Sequence, residues 1–133
     1  MKKFLMAFVL VLSTCFIANA QTTWFKATSL SYRYVNDYGY WTKWSNWEKC
    51  DVKIKFEMDE DYIVIYSNKT QYYKVISVLD PPYDPSGVTL KYSVIDGEDD
   101  YGHIRLRVEN NGNSQLYVDF NNVSWVYNVI RTN

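Results

Sequence analysis

The sequence predicts an all-β domain of about eight antiparallel strands in up-and-down order, closing into a small barrel, with a two-sheet sandwich as the alternative. Three observations carry this. Several stretches alternate apolar and polar residues with a period of two, as a strand with one dry face does. Short polar links rich in Asn, Asp and Gly join them, which is hairpin chemistry. Beyond residue 20, no segment combines a helical period with caps.

Taken in order, Trp24 to Tyr34 reads as the first strand. In Asp51 to Met58 the residues Val52, Ile54, Phe56 and Met58 are apolar, while Asp51, Lys53, Lys55 and Glu57 are charged. Val88, Leu90, Tyr92 and Val94 alternate with Thr89, Lys91 and Ser93; Ile104, Leu106 and Val108 alternate with Arg105, Arg107 and Glu109; Leu116, Val118 and Phe120 alternate with Tyr117 and Asp119. Strands with one wet face suit a curved antiparallel sheet. Tyr62 to Ser67, Gln71 to Val78 and Val123 to Ile130 are apolar on both faces, so each is expected to meet a second layer, a loop or a partner. Residues 58–61, 67–70, 110–113 and 121–122 supply the hairpin links. Leu79 to Gly87 is the one long break, held stiff by Pro81, Pro82 and Pro85.

The first twenty residues read as a secretory signal: Lys2 and Lys3, an apolar run from Phe4 to Leu12, and Ala18-Asn19-Ala20 for cleavage. The expectation is an exported chain, periplasmic or secreted, with one domain over 21–133. Cys15 offers a second route, acylation as a lipoprotein. No stretch reaches the roughly 20 apolar residues of a spanning helix. Without Lys2 and Lys3, the 14 Lys and Arg become 12 against 15 Asp and Glu, a net charge of −3. That balance argues against a nucleic-acid partner, whose phosphates demand a basic face. Cys50 is then the only cysteine, which excludes an intrachain disulfide and a cysteine-based metal site.

The stretch WTKWSNWEKC places Trp41, Trp44 and Trp47 three residues apart. A strand would turn Trp44 away from the other two, and only a three-per-turn conformation would align all three. One expectation is that these rings cap a barrel end or cover an edge, each burying about 150 to 250 Å². The other is an aromatic contact surface formed with Tyr32, Tyr34, Tyr38 and Tyr40, stacking on a sugar or packing against a protein. The spacing is similar to the thrombospondin type 1 repeat, where tryptophans and arginines form a stacked ladder. That scaffold depends on several disulfides, which this chain cannot make.

Strand count and order resemble the calycin-like barrels of the lipocalin and fatty-acid-binding class. That resemblance implies a carrier of a small apolar ligand, in a cavity lined by Ile54, Phe56, Leu90, Tyr92, Leu106 and Val118. The lipocalin signature is missing, because no glycine stands two residues before Trp24. Residues 21–133 are also few for a roomy barrel, so an interior filled by its own side chains is expected. The signal ending in Asn19-Ala20-Gln21, the tryptophan cluster, and the segments QLYVDF and WVYNV more closely resemble small exported all-β proteins of gut bacteria, of the Bacteroidota type. The likeness spans most of residues 21–133 and implies no activity.

Chemistry has few carriers here. His103 is the sole histidine and falls on the charged face with Arg105, as a solvated residue would. No Ser, Cys or Thr sits in a nucleophile motif. In the loop Asp96-Gly97-Glu98-Asp99-Asp100, the weak metal candidates Asp96, Glu98 and Asp100 miss the calcium-loop pattern, because Tyr101 stands where it requires glycine. No cofactor is expected. The favoured expectation is a non-enzymatic binding module for a glycan or a protein, with the calycin-like carrier as the alternative.

Overall fold

The computed structural model describes residues 22–79, 82–111 and 113–133. The expected signal, with Cys15, lies outside them. Eight strands follow one another: β1 (Thr22–Tyr34), β2 (Glu48–Glu57), β3 (Tyr62–Tyr66), β4 (Gln71–Leu79), β5 (Gly87–Ile95), β6 (Tyr101–Glu109), β7 (Ser114–Asp119) and β8 (Val123–Arg131). Each pairs antiparallel with the next and β8 returns to β1, so the meander closes into a barrel. Closure satisfies every strand's edge, a solution the sandwich would not give. Among the described residues no helix is long and apolar enough to cross a membrane.

The alternation seen in the sequence sets the wall. In β2, Val52, Ile54 and Phe56 point inward and are buried, while Lys53 between them is exposed. β5, β6 and β7 repeat the pattern through Val94, Ile104 and Val118, each wholly buried. Aromatic rings fill the middle: Phe56 meets Phe25 at 5.4 Å and Tyr92 at 5.6 Å, both edge-on. Ile54, Phe56, Tyr92, Leu106 and Val118 belong to this single packed core, with Leu90 against its side. At the end carrying the β1–β2 loop, Trp125 stacks on Phe120 at 6.4 Å and Phe120 leans on Tyr73 at 6.0 Å. A partly buried polar network lies there: Tyr73 donates to Gln71 Oε1 at 2.6 Å, and Gln71 Nε2 donates to Ser67 Oγ at 2.9 Å and to the Tyr127 hydroxyl at 3.5 Å.

Two bulges change which residues face inward. In β1 the register shifts between Ala27 and Ser29, so Phe25 and Ala27 point in before it and Leu30 after it. One extra residue reverses the parity of everything that follows. Arg33 is thereby turned outward. A second shift, between Val75 and Ser77, leaves Ile76 on the outside.

The Pro-rich loop is tied to β6. Arg107 donates to Asp84 at 2.8 Å and to Ser86 Oγ at 2.7 Å, and Asn110 Nδ2 donates to the Pro85 carbonyl at 2.6 Å. The Asp84 carboxyl is lowered to about 2, first by the Ser86 backbone amide, then by the Ser86 hydroxyl and Arg107.

Gly102 marks a close approach between β6 and β7. A methyl group there would lie 2.6 Å from the Asp119 carbonyl oxygen and 2.7 Å from the Phe120 ring. Gly102→Ala is therefore expected to cost about 2 kcal/mol, because backbone and a packed ring must both shift. A thermal midpoint lowered by less than about 3 °C in calorimetry would contradict that reading.

Candidate functional site: an aromatic and cationic wall

Residues 35–47 leave β1 and return to β2 across the outside of the barrel. Their first turn is tightly held: Asn36 Oδ1 accepts from the amides of Tyr38 at 2.9 Å and Tyr40 at 3.1 Å, and Gly39 supplies φ of 85°. Val35 bridges to Trp41, closing the loop. Next, two hydroxyl residues imitate a strand. The Thr42 amide donates to the Tyr34 carbonyl at 2.8 Å while its Oγ1 accepts from the Tyr34 amide at 3.1 Å. Ser45 treats Tyr32 likewise, at 2.8 Å and 3.0 Å. A three-residue step in the loop thus matches a two-residue step along β1. Each pinned hydroxyl follows a tryptophan, so Trp41 and Trp44 arrive on the same face.

That face holds Arg33. Its guanidinium carbon lies 4.7 Å from the Trp41 ring and 4.7 Å from the Trp44 ring. Trp44 continues edge-on to Tyr117 at 6.3 Å, and Arg105 lies over Tyr117 at 4.2 Å. Asp119 fixes the far end by accepting from Arg105 Nε at 2.7 Å and from the Ser124 hydroxyl at 2.6 Å. The result is a ladder running Trp41, Arg33, Trp44, Tyr117, Arg105. Beneath it Ser31, Ser124 and Val126 are buried although they lie on the outer face. This covering explains why β8 could be apolar on both sides. The Arg33 Nε–H is buried with no acceptor among the described residues.

The residues expected to form one aromatic surface therefore divide. Trp41 and Trp44 are in the ladder, on the wall and not across a barrel end. Trp47, 48 % exposed, stands outside it, because Glu48 follows and regular β2 pairing has begun. Tyr32 and Tyr34 occupy the opposite face of β1 from Arg33, on the side of Trp125. Tyr38 and Tyr40, 84 % and 71 % exposed, stand at the loop's crest. Cys50 is half-buried against the core, its thiol pushed up first by burial and then by Asp51.

A second ladder lies on the outer face of β1 to β4, unforeseen in the sequence. Tyr66 stacks on Trp24 at 6.2 Å, Lys55 lies 5.7 Å from Trp24 and 5.3 Å from Tyr62, and Tyr62 stacks on Tyr72 at 5.1 Å. Val64 is buried at its centre. The signal was available: in Tyr62-Ile63-Val64-Ile65-Tyr66 two tyrosines flank Val64 on the face opposite the core isoleucines.

Elsewhere, Ser93, His103 and Asp119 stand side by side across β5, β6 and β7, in an outer cleft of about 440 Å³. These are the residue types of a nucleophile, a base and its orienting acid. Among the described residues no hydrogen bond joins His103 to either neighbour, and Asp119 is engaged by Arg105 and Ser124. The His103 imidazole is lowered by burial and then by Lys91, with Asp119 opposing. In the acidic loop Asp96 Oδ1 accepts from the amides of Glu98 at 2.8 Å and Asp100 at 3.0 Å, so its carboxylate braces its own turn. No group of three or more His, Cys, Asp or Glu suited to a metal comes together among the described residues.

Comparison of the chain with protein-family models, curated proteins and solved structures finds no match.

Proposed function

We propose that this chain is an exported, non-enzymatic binding module whose contact surface is the loop of residues 36–47, with Tyr38 and Tyr40 at its crest and a glycan or a protein as ligand. One observation carries the reading. The six hydrogen bonds named above and a bridge order a loop whose two most prominent rings stay largely exposed. Ordering a residue costs about 1–2 kcal/mol. Rigid tyrosines repay such a cost by giving a partner large amphipathic contact at little further loss of side-chain freedom.

The sequence of residues 2–20, which reads as a secretory signal, supports export. The interlocked rings of Phe25, Phe56 and Tyr92 favour an external surface over an internal apolar ligand. The engagement of Asp119 away from His103 favours binding over hydrolysis.

The test replaces the crest. Tyr38→Ala with Tyr40→Ala is expected to leave circular dichroism and the thermal midpoint unchanged, while abolishing retention of the labelled chain on a glycan array or by a purified protein ligand. Replacing Trp41 and Trp44 would not separate binding from folding, because both rings also brace Arg33. Undiminished binding by the tyrosine variant would refute the assignment.

A further inference from the structure

The outer face of β1 to β4 is laid out in three cross-strand rows. One runs Trp24, Lys55, Val64, Tyr72; the next brings Lys26, Lys53 and Tyr66 together; the third sets Tyr62 beside Lys74. Four lysines and four aromatic residues thus share one face of a chain whose net charge is negative. Two acids share the face: Glu57, in the row of Tyr62, accepts from the Thr22 hydroxyl at 2.8 Å, and Asp51 lies 3.6 Å from Lys26. Among the described residues, Lys53 and Lys74 have no carboxylate partner. Lys26 and Lys53 stand directly opposite each other, an arrangement that costs stability. The fold gains nothing from that repulsion.

We infer that this face binds an acidic polysaccharide, one bearing carboxylate or sulfate groups along its sugar chain. The apolar atoms, centred on Val64, are sealed beneath the rings. What meets water is rich in donors: ammonium groups and the hydroxyls of Tyr66 and Tyr72, which are 41 % and 50 % exposed. Sugar hydroxyls and carboxylates are the acceptors such a face suits. Tyr66 and Tyr72 end the ladder, each with one stacking partner, and their exposed rings could meet the C–H face of a pyranose. A membrane surface fits less well, because the lysines and tyrosine hydroxyls dominate this face and the exposed apolar Ile76 stands beyond them on β4. Nucleic acid fits less well too, because its binding requires many neutralised phosphates and this face offers four lysines.

The test titrates the purified chain with polygalacturonate by calorimetry at low salt. Dextran, an oligothymidylate and phosphatidylglycerol vesicles serve as comparators. Polygalacturonate is expected to bind with an affinity that falls as salt rises, and dextran to bind at least tenfold more weakly. Lys53→Gln with Lys74→Gln should weaken polygalacturonate binding about tenfold with an unchanged thermal midpoint, since both side chains are exposed. The Tyr38→Ala, Tyr40→Ala variant should bind it as the parent does, which separates this face from the loop. Failure of polygalacturonate to bind, tighter binding of the oligonucleotide or the vesicles, or indifference to the lysine substitutions would overturn the proposal.

Discussion

Raised above about pH 10.5, the barrel is expected to unfold in one cooperative step, and Tyr92→Phe to move the midpoint upward by about 0.3 to 0.5 pH unit. The cause is the burial of Tyr73, Tyr92 and Tyr127. Burial pushes each phenol above its ordinary value; at Tyr73 the charges of Tyr127 and Asp96 add to it, and at Tyr127 the Gln71 hydrogen bond opposes it. A phenol raised in the folded chain keeps its proton after the unfolded chain has lost its own. Its contribution is therefore complete below pH 10 and declines as the pH rises beyond that, by about 1.4 kcal/mol per pH unit for each group. Above pH 10 Tyr73 and Tyr92 therefore both withdraw stability as the pH rises, from a total of roughly 5–15 kcal/mol that holds a domain folded. Far-ultraviolet circular dichroism against pH, recorded beside phenolate absorbance, checks it. Gradual titration of every tyrosine with the dichroism intact would contradict the expectation, as would a Tyr92→Phe midpoint equal to the parent's.

How far the sequence announced this molecule depends on the strand. β2, β5, β6 and β7 keep strict alternation, because one face meets the core and the other meets water, and their inward residues could be read directly. β1 could not be read that way. Its bulge between Ala27 and Ser29 switches the inward parity, so Phe25, Ala27 and Leu30 fit no single period. Turned outward by the switch, Arg33 became the centre of a site that no local pattern marks. The apolar outer faces of β3 and β8 were legible as needing cover, and a loop was among the covers expected for β8. For β3 the cover is its own ladder of rings, since Tyr62, Tyr66 and Tyr72 are amphipathic enough to be both wall and roof. The tryptophan spacing was legible as a three-residue step. What brings two of the rings onto one face is the hydroxyl after Trp41 and Trp44, and the acid in that place after Trp47 ends the ladder.

Arg33→Ala is the substitution expected to damage the loop most, costing about 2 to 3 kcal/mol and lowering the thermal midpoint by about 10 °C. Two cation–π contacts at 4.7 Å disappear together, each contributing about 1 kcal/mol where water is partly excluded. The gap left between Trp41 and Trp44 adds to that, because Ser31, Ser124 and Val126 beneath it become reachable by water. Arg33→Lys should recover less than half of the loss, since a compact ammonium cannot lie flat between two rings as a guanidinium does. Local measurements distinguish this from general weakening. The amides of Thr42 and Ser45, which donate to the Tyr34 and Tyr32 carbonyls, should exchange with deuterium faster in the variant, while core amides in β6 and β7 keep their order of protection. Acrylamide should also quench tryptophan fluorescence more strongly. If Arg33→Ala retains the parent's midpoint and exchange pattern, the stacking holds nothing in place, and the rigid presentation of Tyr38 and Tyr40 must rest on the Asn36 turn alone.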